Sequence, residues 1–110
     1  TTVLSSGWEV EDVVLQQATA EFEQAAHHAY GRVQRGESSA LEYHMYFRRM
    51  DVTVLAQSTG FFKWQVRRHF RPAVFNKLSL KKLQRYQDAL QLSHAELISL
   101  PIIPAKPDEL

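Results

Sequence analysis

Nine residues between positions 63 and 82 hold most of the reactive polarity of this chain. Lys63, Trp64, Gln65, Arg67, Arg68 and Arg71 crowd into one short stretch, and Lys77, Lys81 and Lys82 follow beyond a proline. Lysine and arginine neutralise phosphate charge. An arginine or lysine that reaches a base edge also matches the O6 and N7 acceptors of guanine. Three bases as close as Arg67, Arg68 and Arg71 would bind phosphates without any choice of sequence. Such a set suits a polyanion, provided some element holds it on one face.

The element is legible just upstream. Ala56, Gly60 and Val66 stand at offsets of four and ten, the spacing of two helices that meet through a tight turn. Close helix approach needs a small residue, and Ala56 is one. The turn needs positive φ, which glycine adopts without steric cost. Val66 points back into the angle, with Leu55 and Phe61 beside it. Asp51 is expected to cap a helix over Val52–Ser58, and a second helix is expected over Phe62–Phe70 with Val66 and Phe70 inward. Pro72 starts a turn that brings Ala73, Val74 and Phe75 back to the core. Ser79 is expected to cap a helix from Leu80 to Leu92, with Leu83, Tyr86, Leu90 and Ala89 inward. Lys77, Lys81, Lys82 and Arg85 cluster at the start of that helix and oppose its dipole. A bound polyanion would account for them.

Residues 40–100 resemble the lambda-repressor-like (Cro/C1, XRE) DNA-binding family. The resemblance rests on Leu55-Ala56, Thr59-Gly60, Leu83, Tyr86, Ala89-Leu90, Leu92-Ser93 and Glu96-Leu97. It implies an all-α fold of five to six helices with a helix-turn-helix core. The second motif helix would lie in the major groove of double-stranded DNA, with Lys63, Trp64, Arg67 and Arg68 facing the bases. It also implies a homodimer. Three positions depart from the family pattern. Phe62 stands where Ser or Thr usually caps the second helix, His69 where an aliphatic is usually buried, and Trp64 at a groove-facing site that seldom holds tryptophan.

The rest of the chain supplies accessory elements. Ser6 and Glu9 match a capping box, and Val10, Val14, Ala18, Phe22, Ala25, Ala29 and Val33 form one apolar stripe on a helix from about Trp8 to Arg35. This N-terminal helix, residues 1–36, is expected to dimerise or to fold back on its own domain. Ser39 and Glu42 match a second capping box, opening an apolar helix through Met50. Arg48 and Arg49 in its last turn suit the helix dipole and equally suit phosphate. Ser93 and Glu96 match a third box, for a helix over Ala95–Leu100. Residues 37–100 thus make the helix-turn-helix domain, and residues 101–110 an extended proline-rich tail in which Ile102 and Ile103 would dock.

Composition bounds the function. The chain has 110 residues, 45% of them hydrophobic and 23% charged, as in an ordinary globular protein. No apolar run is long enough to cross a bilayer, and without cysteine a reducing cytoplasm is the natural setting. The net charge of +1 hides an uneven distribution: −5 over residues 1–47, +9 over 48–85 and −3 over 86–110. No nucleophile motif, glycine-rich phosphate loop or metal-ligand spacing is present, and His27 and His28, being adjacent, do not form a metal pair. The expectation is a DNA-binding transcriptional regulator that is not an enzyme and takes no cofactor. The rival is a helical interaction module on the same fold, docking a protein partner through an exposed patch of Phe61, Phe62 and Trp64.

Overall fold

The structure, a computed structural model, describes residues 19–101. These residues form seven helices and no strand, so the fold is all-α. Helix α1 covers 19–34, α2 Ala40–Phe47, α3 Val52–Thr59, α4 Lys63–His69, α5 Pro72–Phe75, α6 Leu80–Leu90 and α7 His94–Leu97. The capping box at Ser6, the upstream half of the apolar stripe, and Ile102 and Ile103 lie outside the described residues.

The main core is built where α3, α4 and α6 meet. Leu41 and Met45 of α2, Leu55 and Ala56 of α3, Val66 of α4, Phe75, and Leu83, Tyr86 and Leu90 of α6 are buried together with Phe61 and Leu97. Ala56 is the small residue that lets α4 approach α3. Asp51 caps α3 by accepting from the Val54 N–H at 2.9 Å. Thr59 and Gly60 then stop the helix. The Thr59 hydroxyl donates to the Leu55 carbonyl at 2.8 Å and accepts from the Phe61 N–H at 3.3 Å. Gly60 sits at φ 82°, in the left-handed region, where any residue with a Cβ is strained.

Helix α1 packs within its own chain. Ala26 and Ala29 are buried against Tyr43 of α2, with Tyr30, Val33, Tyr46 and Leu100 around them. Phe22 and Ala25, expected in the stripe, are only half-buried. The buried line therefore runs through Ala26 rather than Ala25. Tyr30 reaches across 71 positions to donate its hydroxyl to the Pro101 carbonyl at 2.9 Å.

Three helices end two or three residues sooner than expected. Helix α2 stops at Phe47 instead of Met50 because Arg49 turns left-handed, at φ 58°. The Met50 N–H then closes on the Met45 carbonyl and the Arg49 N–H on that of Tyr46, the paired bonds of a Schellman ending. Helix α6 stops at Leu90 because Gln91 takes φ 57°. Ser79 caps α6 as expected. Ser93 and Glu96 form their reciprocal box, though the helix it opens covers only His94–Leu97.

The second capping box does not form. Ser39 precedes α2 without a side-chain cap bond. Its hydroxyl donates instead to the His69 carbonyl at 3.0 Å and its N–H to the Phe70 carbonyl at 2.6 Å. These bonds satisfy the last carbonyls of α4 and tie α2 to it. Glu42 turns to Arg32 of α1, which donates to both its carboxylate oxygens at 3.1 and 2.9 Å.

Candidate nucleic-acid interface

Helix α4 divides cleanly into two faces. Val66 and His69 are buried and Phe70 is half-buried, whereas Lys63, Trp64, Arg67 and Arg68 are exposed. Trp64 and Arg68 are four residues apart, so they share the outward face one turn from each other. Arg67, Arg68 and His69 occupy the last turn, where positive charge suits the helix dipole. The dipole explains a basic residue or two there. It does not explain Lys81 and Lys82, which lie at the opposite, unfavourable end of α6, whose first turn contains no acid.

The short helix α5 bends the chain so that α4 and the start of α6 line one open groove of about 490 Å³. Trp64, Gln65, Arg68, Lys77 and Lys82 line it, over an apolar floor that includes Val74 and Leu78. The structure thus brings five of the nine sequence-predicted residues together. Lys63, Arg67, Arg71 and Lys81 are exposed but do not line the groove. Gln65 is half-buried and already engaged, its side-chain oxygen accepting from the Phe62 N–H at 2.9 Å. Phe62 offers α4 no acceptor of its own, so half of a capping box stands where a full one would with serine or threonine.

No described ion pair involves any of these cations. The described ion pairs join Arg32 to Glu42, Arg35 to Glu37 and Arg49 to Glu23. Residues 52–87 contain eight lysines and arginines and no acid at all. Arg48 and Arg49, equally suited to phosphate by sequence, find protein partners instead. Arg48 donates to the Gln91 carbonyl at 3.4 Å, and Arg49 faces Glu23.

Beneath the groove His69, which stood out in the sequence only as a departure from the family pattern, has a partner that the sequence did not announce. His69 is buried, its Nδ1 2.6 Å from the Tyr86 hydroxyl, with Phe61 packed edge-on. Burial, and then the positive charges of Lys82 and Arg68, hold the His69 imidazole below its ordinary range. The imidazole is therefore neutral near pH 7, and its Nδ1 and the tyrosine oxygen share one hydrogen bond. Burial pushes the Tyr86 phenol far upward, which keeps it protonated. Arg68 and Lys82 line the same groove as His69. A histidine at a position where an aliphatic was expected was the available signal. Arg85 also belongs to this surface, its guanidinium 5.0 Å from the centre of the Phe61 ring.

The aromatic residues split. Phe61 is 6% exposed and belongs to the core, which removes it from the expected docking patch. Its place in the turn directs it inward onto His69 and Tyr86. Phe62 and Trp64 are 68% and 61% exposed, with their rings parallel to within 9° and their centres 6.4 Å apart. His27 and His28 are exposed on α1, and no group of three potential metal ligands exists among the described residues. None of the described helices is long and apolar enough to cross a membrane.

No protein-family model, curated protein or solved structure matches this chain.

Proposed function

We propose that this chain binds double-stranded DNA as a transcriptional regulator, with α3 and α4 acting as a helix-turn-helix and α4 laid in the major groove. One observation carries the reading: the cations of α4, of α6 and of the segments flanking α5 are exposed, and no described ion pair engages any of them. Arg67 and Arg68 project away from Val66, so they reach a base edge without disturbing the core. Lys77 and Lys82 sit across the groove from α4, where a phosphate backbone flanking that helix would pass.

Titration of a labelled mixed-sequence duplex at two salt concentrations tests this. Affinity should fall by about 0.9 log units per log unit of salt for each phosphate neutralised. Absence of binding at low salt, or binding indifferent to salt, would sink the proposal. Selection of a preferred site from random duplexes then tests base reading. Arg67→Ala or Arg68→Ala should cost about 1–3 kcal/mol on that site and relax preference at one base pair.

A homodimer belongs to the same reading, since helix-turn-helix proteins commonly bind paired half-sites. Phe22, half-buried on α1, is an apolar residue available to a second copy. Sedimentation at micromolar concentration should show a dimer that Phe22→Glu dissociates. A second reading is favoured by the exposure of Phe62 and Trp64, which also suits a protein-docking surface. In that case Trp64→Ala would abolish capture of the partner and leave the salt slope on DNA as it was.

A further inference from the structure

Phe62 and Trp64 are largely exposed aromatic rings that belong to neither core cluster. Among the described residues neither contacts a core ring, and they stack only on each other. Phe62 occupies the cap position of α4, where a polar side chain would stabilise the helix and a phenyl ring does nothing. Trp64 has two neighbourhoods at once: it stacks on Phe62 and it lines the groove with Arg68, Lys77 and Lys82.

We infer that the Phe62–Trp64 pair receives the face of an unpaired nucleic-acid base, while the cations of the adjoining groove hold the phosphates on either side of it. The inference rests on the DNA-binding reading above and names the part of the ligand that this end of α4 meets. Three observations point the same way. The rings are parallel and open to solvent, so they present flat π-surface rather than a pocket for an aliphatic side chain. The charge around them is wholly positive over residues 52–87, so the occupant is a planar group carrying negative charge nearby, which describes a nucleotide. The pair also lies at the N-terminal end of α4, the end that meets base edges when such a helix enters the major groove. A base inside an intact duplex hides both faces in the stack. Only a looped-out, terminal or single-stranded base exposes one.

The test uses the full chain and three labelled DNA probes: a perfect duplex, the same duplex with one bulged adenine, and its single strand. The bulged duplex should bind roughly five- to a hundredfold more tightly than the perfect duplex, the range for stacking one base on an aromatic side chain, and more tightly than the single strand, which offers the base without a major groove. With Trp8→Phe, Trp64 is the remaining tryptophan, and its fluorescence should be quenched by the bulged probe. Trp64→Ala should bring the ratio of bulged to perfect affinity close to one, and Trp64→Phe should retain most of it. Lys77→Ala should weaken all three probes alike and leave the ratio in place. Thermal melts confirm that each variant is folded. Equal affinity for all three probes with a normal salt slope would overturn the inference and spare the DNA-binding reading. A preference that survives Trp64→Ala would overturn it as well, because the base would then be held elsewhere. Failure to bind any probe at low salt would remove both.

Discussion

The two basic regions of this molecule treat charge in opposite ways. At the end formed by α1 and α2, each of Arg32, Arg35 and Arg49 stands within 4.0 Å of a glutamate. The hydrogen bond to Glu42 raises the Arg32 guanidinium further, and that from Arg35 lowers the Glu37 carboxyl. On the surface formed by α4, α5 and α6, none of the eight lysines and arginines of residues 52–87 has a described carboxylate partner. A net charge of +1 conceals this difference. The arginines of the first region are explained by what they hold together. The cations of the second have no described partner within the chain, and two of them add to the effect of burial on His69.

The largest expected effect follows directly. Replacing Arg68, Lys77 and Lys82 together by alanine should flatten the salt dependence of DNA binding by about 2.7 log units per log unit of salt, at about 0.9 for each phosphate no longer neutralised. The same variant should melt no lower than the parent, because none of the three cations has a described carboxylate partner. A lower melting temperature with unchanged affinity would reverse the comparison and make these cations structural.

Next in size are changes at the α3–α4 turn on which the unpaired surface depends. Ala56→Leu inserts volume into a fully packed contact and should cost about 1–3 kcal/mol. Gly60→Val should cost about 1–2 kcal/mol for its left-handed backbone alone, since a Cβ there meets nothing within 4 Å. Denaturant melts that overlay the parent for both variants would show that the placement of α4 does not depend on this turn.

Smaller again is the effect of unpairing the first region. Arg32→Ala leaves Glu42, whose side chain is 12% exposed, without its guanidinium and should cost about 1 kcal/mol. Arg35→Ala breaks an exposed, solvent-screened pair and should cost less still. Neither should change DNA affinity. If Arg32→Ala weakened DNA binding as much as Arg68→Ala does, the division between the two surfaces would be false.

What the sequence showed and what it hid divide along the reach of the forces involved. The ends of α3 were legible because Asp51, Thr59 and Gly60 act on backbone groups within four positions of themselves. The inward residues of α6 were legible from period alone. Ser39 and Glu42 misled because their local pairing lost to partners 30 and 10 positions away. Arg49 and Gln91 end their helices in a conformation that a glycine would have announced and these side chains do not. Phe61 and Phe62 are chemically identical neighbours, one buried and one exposed, and only the path of the turn separates them. The cations were visible one by one. That α5 would gather Arg68, Lys77 and Lys82 around one groove over His69 was not, because nothing local encodes it.

The smallest expected effect is a pH dependence that reports the same contrast from inside the protein. His44 and His69 are both buried and both held below the ordinary imidazole value of 6.5, with burial the leading cause in each. A folded state that binds a proton more weakly than the unfolded chain is destabilised as that proton becomes available. Stability should therefore be full above about pH 6.5 and fall as the pH drops through that value toward 5. The two histidines differ in their other influences. His44 Nε2–H donates to the Ser99 carbonyl at 2.8 Å, which partly offsets its burial, and Arg48 and Glu96 act on it with opposite sign. His69 faces Lys82 and Arg68 with no acid to oppose them. Screening those two cations, by added salt or by a bound polyanion, should relieve the contribution of His69 and leave that of His44 nearly as it was. Thermal melts at pH 7.5, 6.5 and 5.5, with and without duplex DNA, measure this directly. His69→Gln keeps a polar partner for the Tyr86 hydroxyl and removes the titration, so it should flatten the acid limb and abolish its response to salt. A His44→Gln variant should flatten the limb without touching the salt response. If the acid limb were insensitive to salt in the parent, or unchanged by His69→Gln, the cations of the groove would not act on the core beneath them. The unpaired surface would then end at the protein boundary.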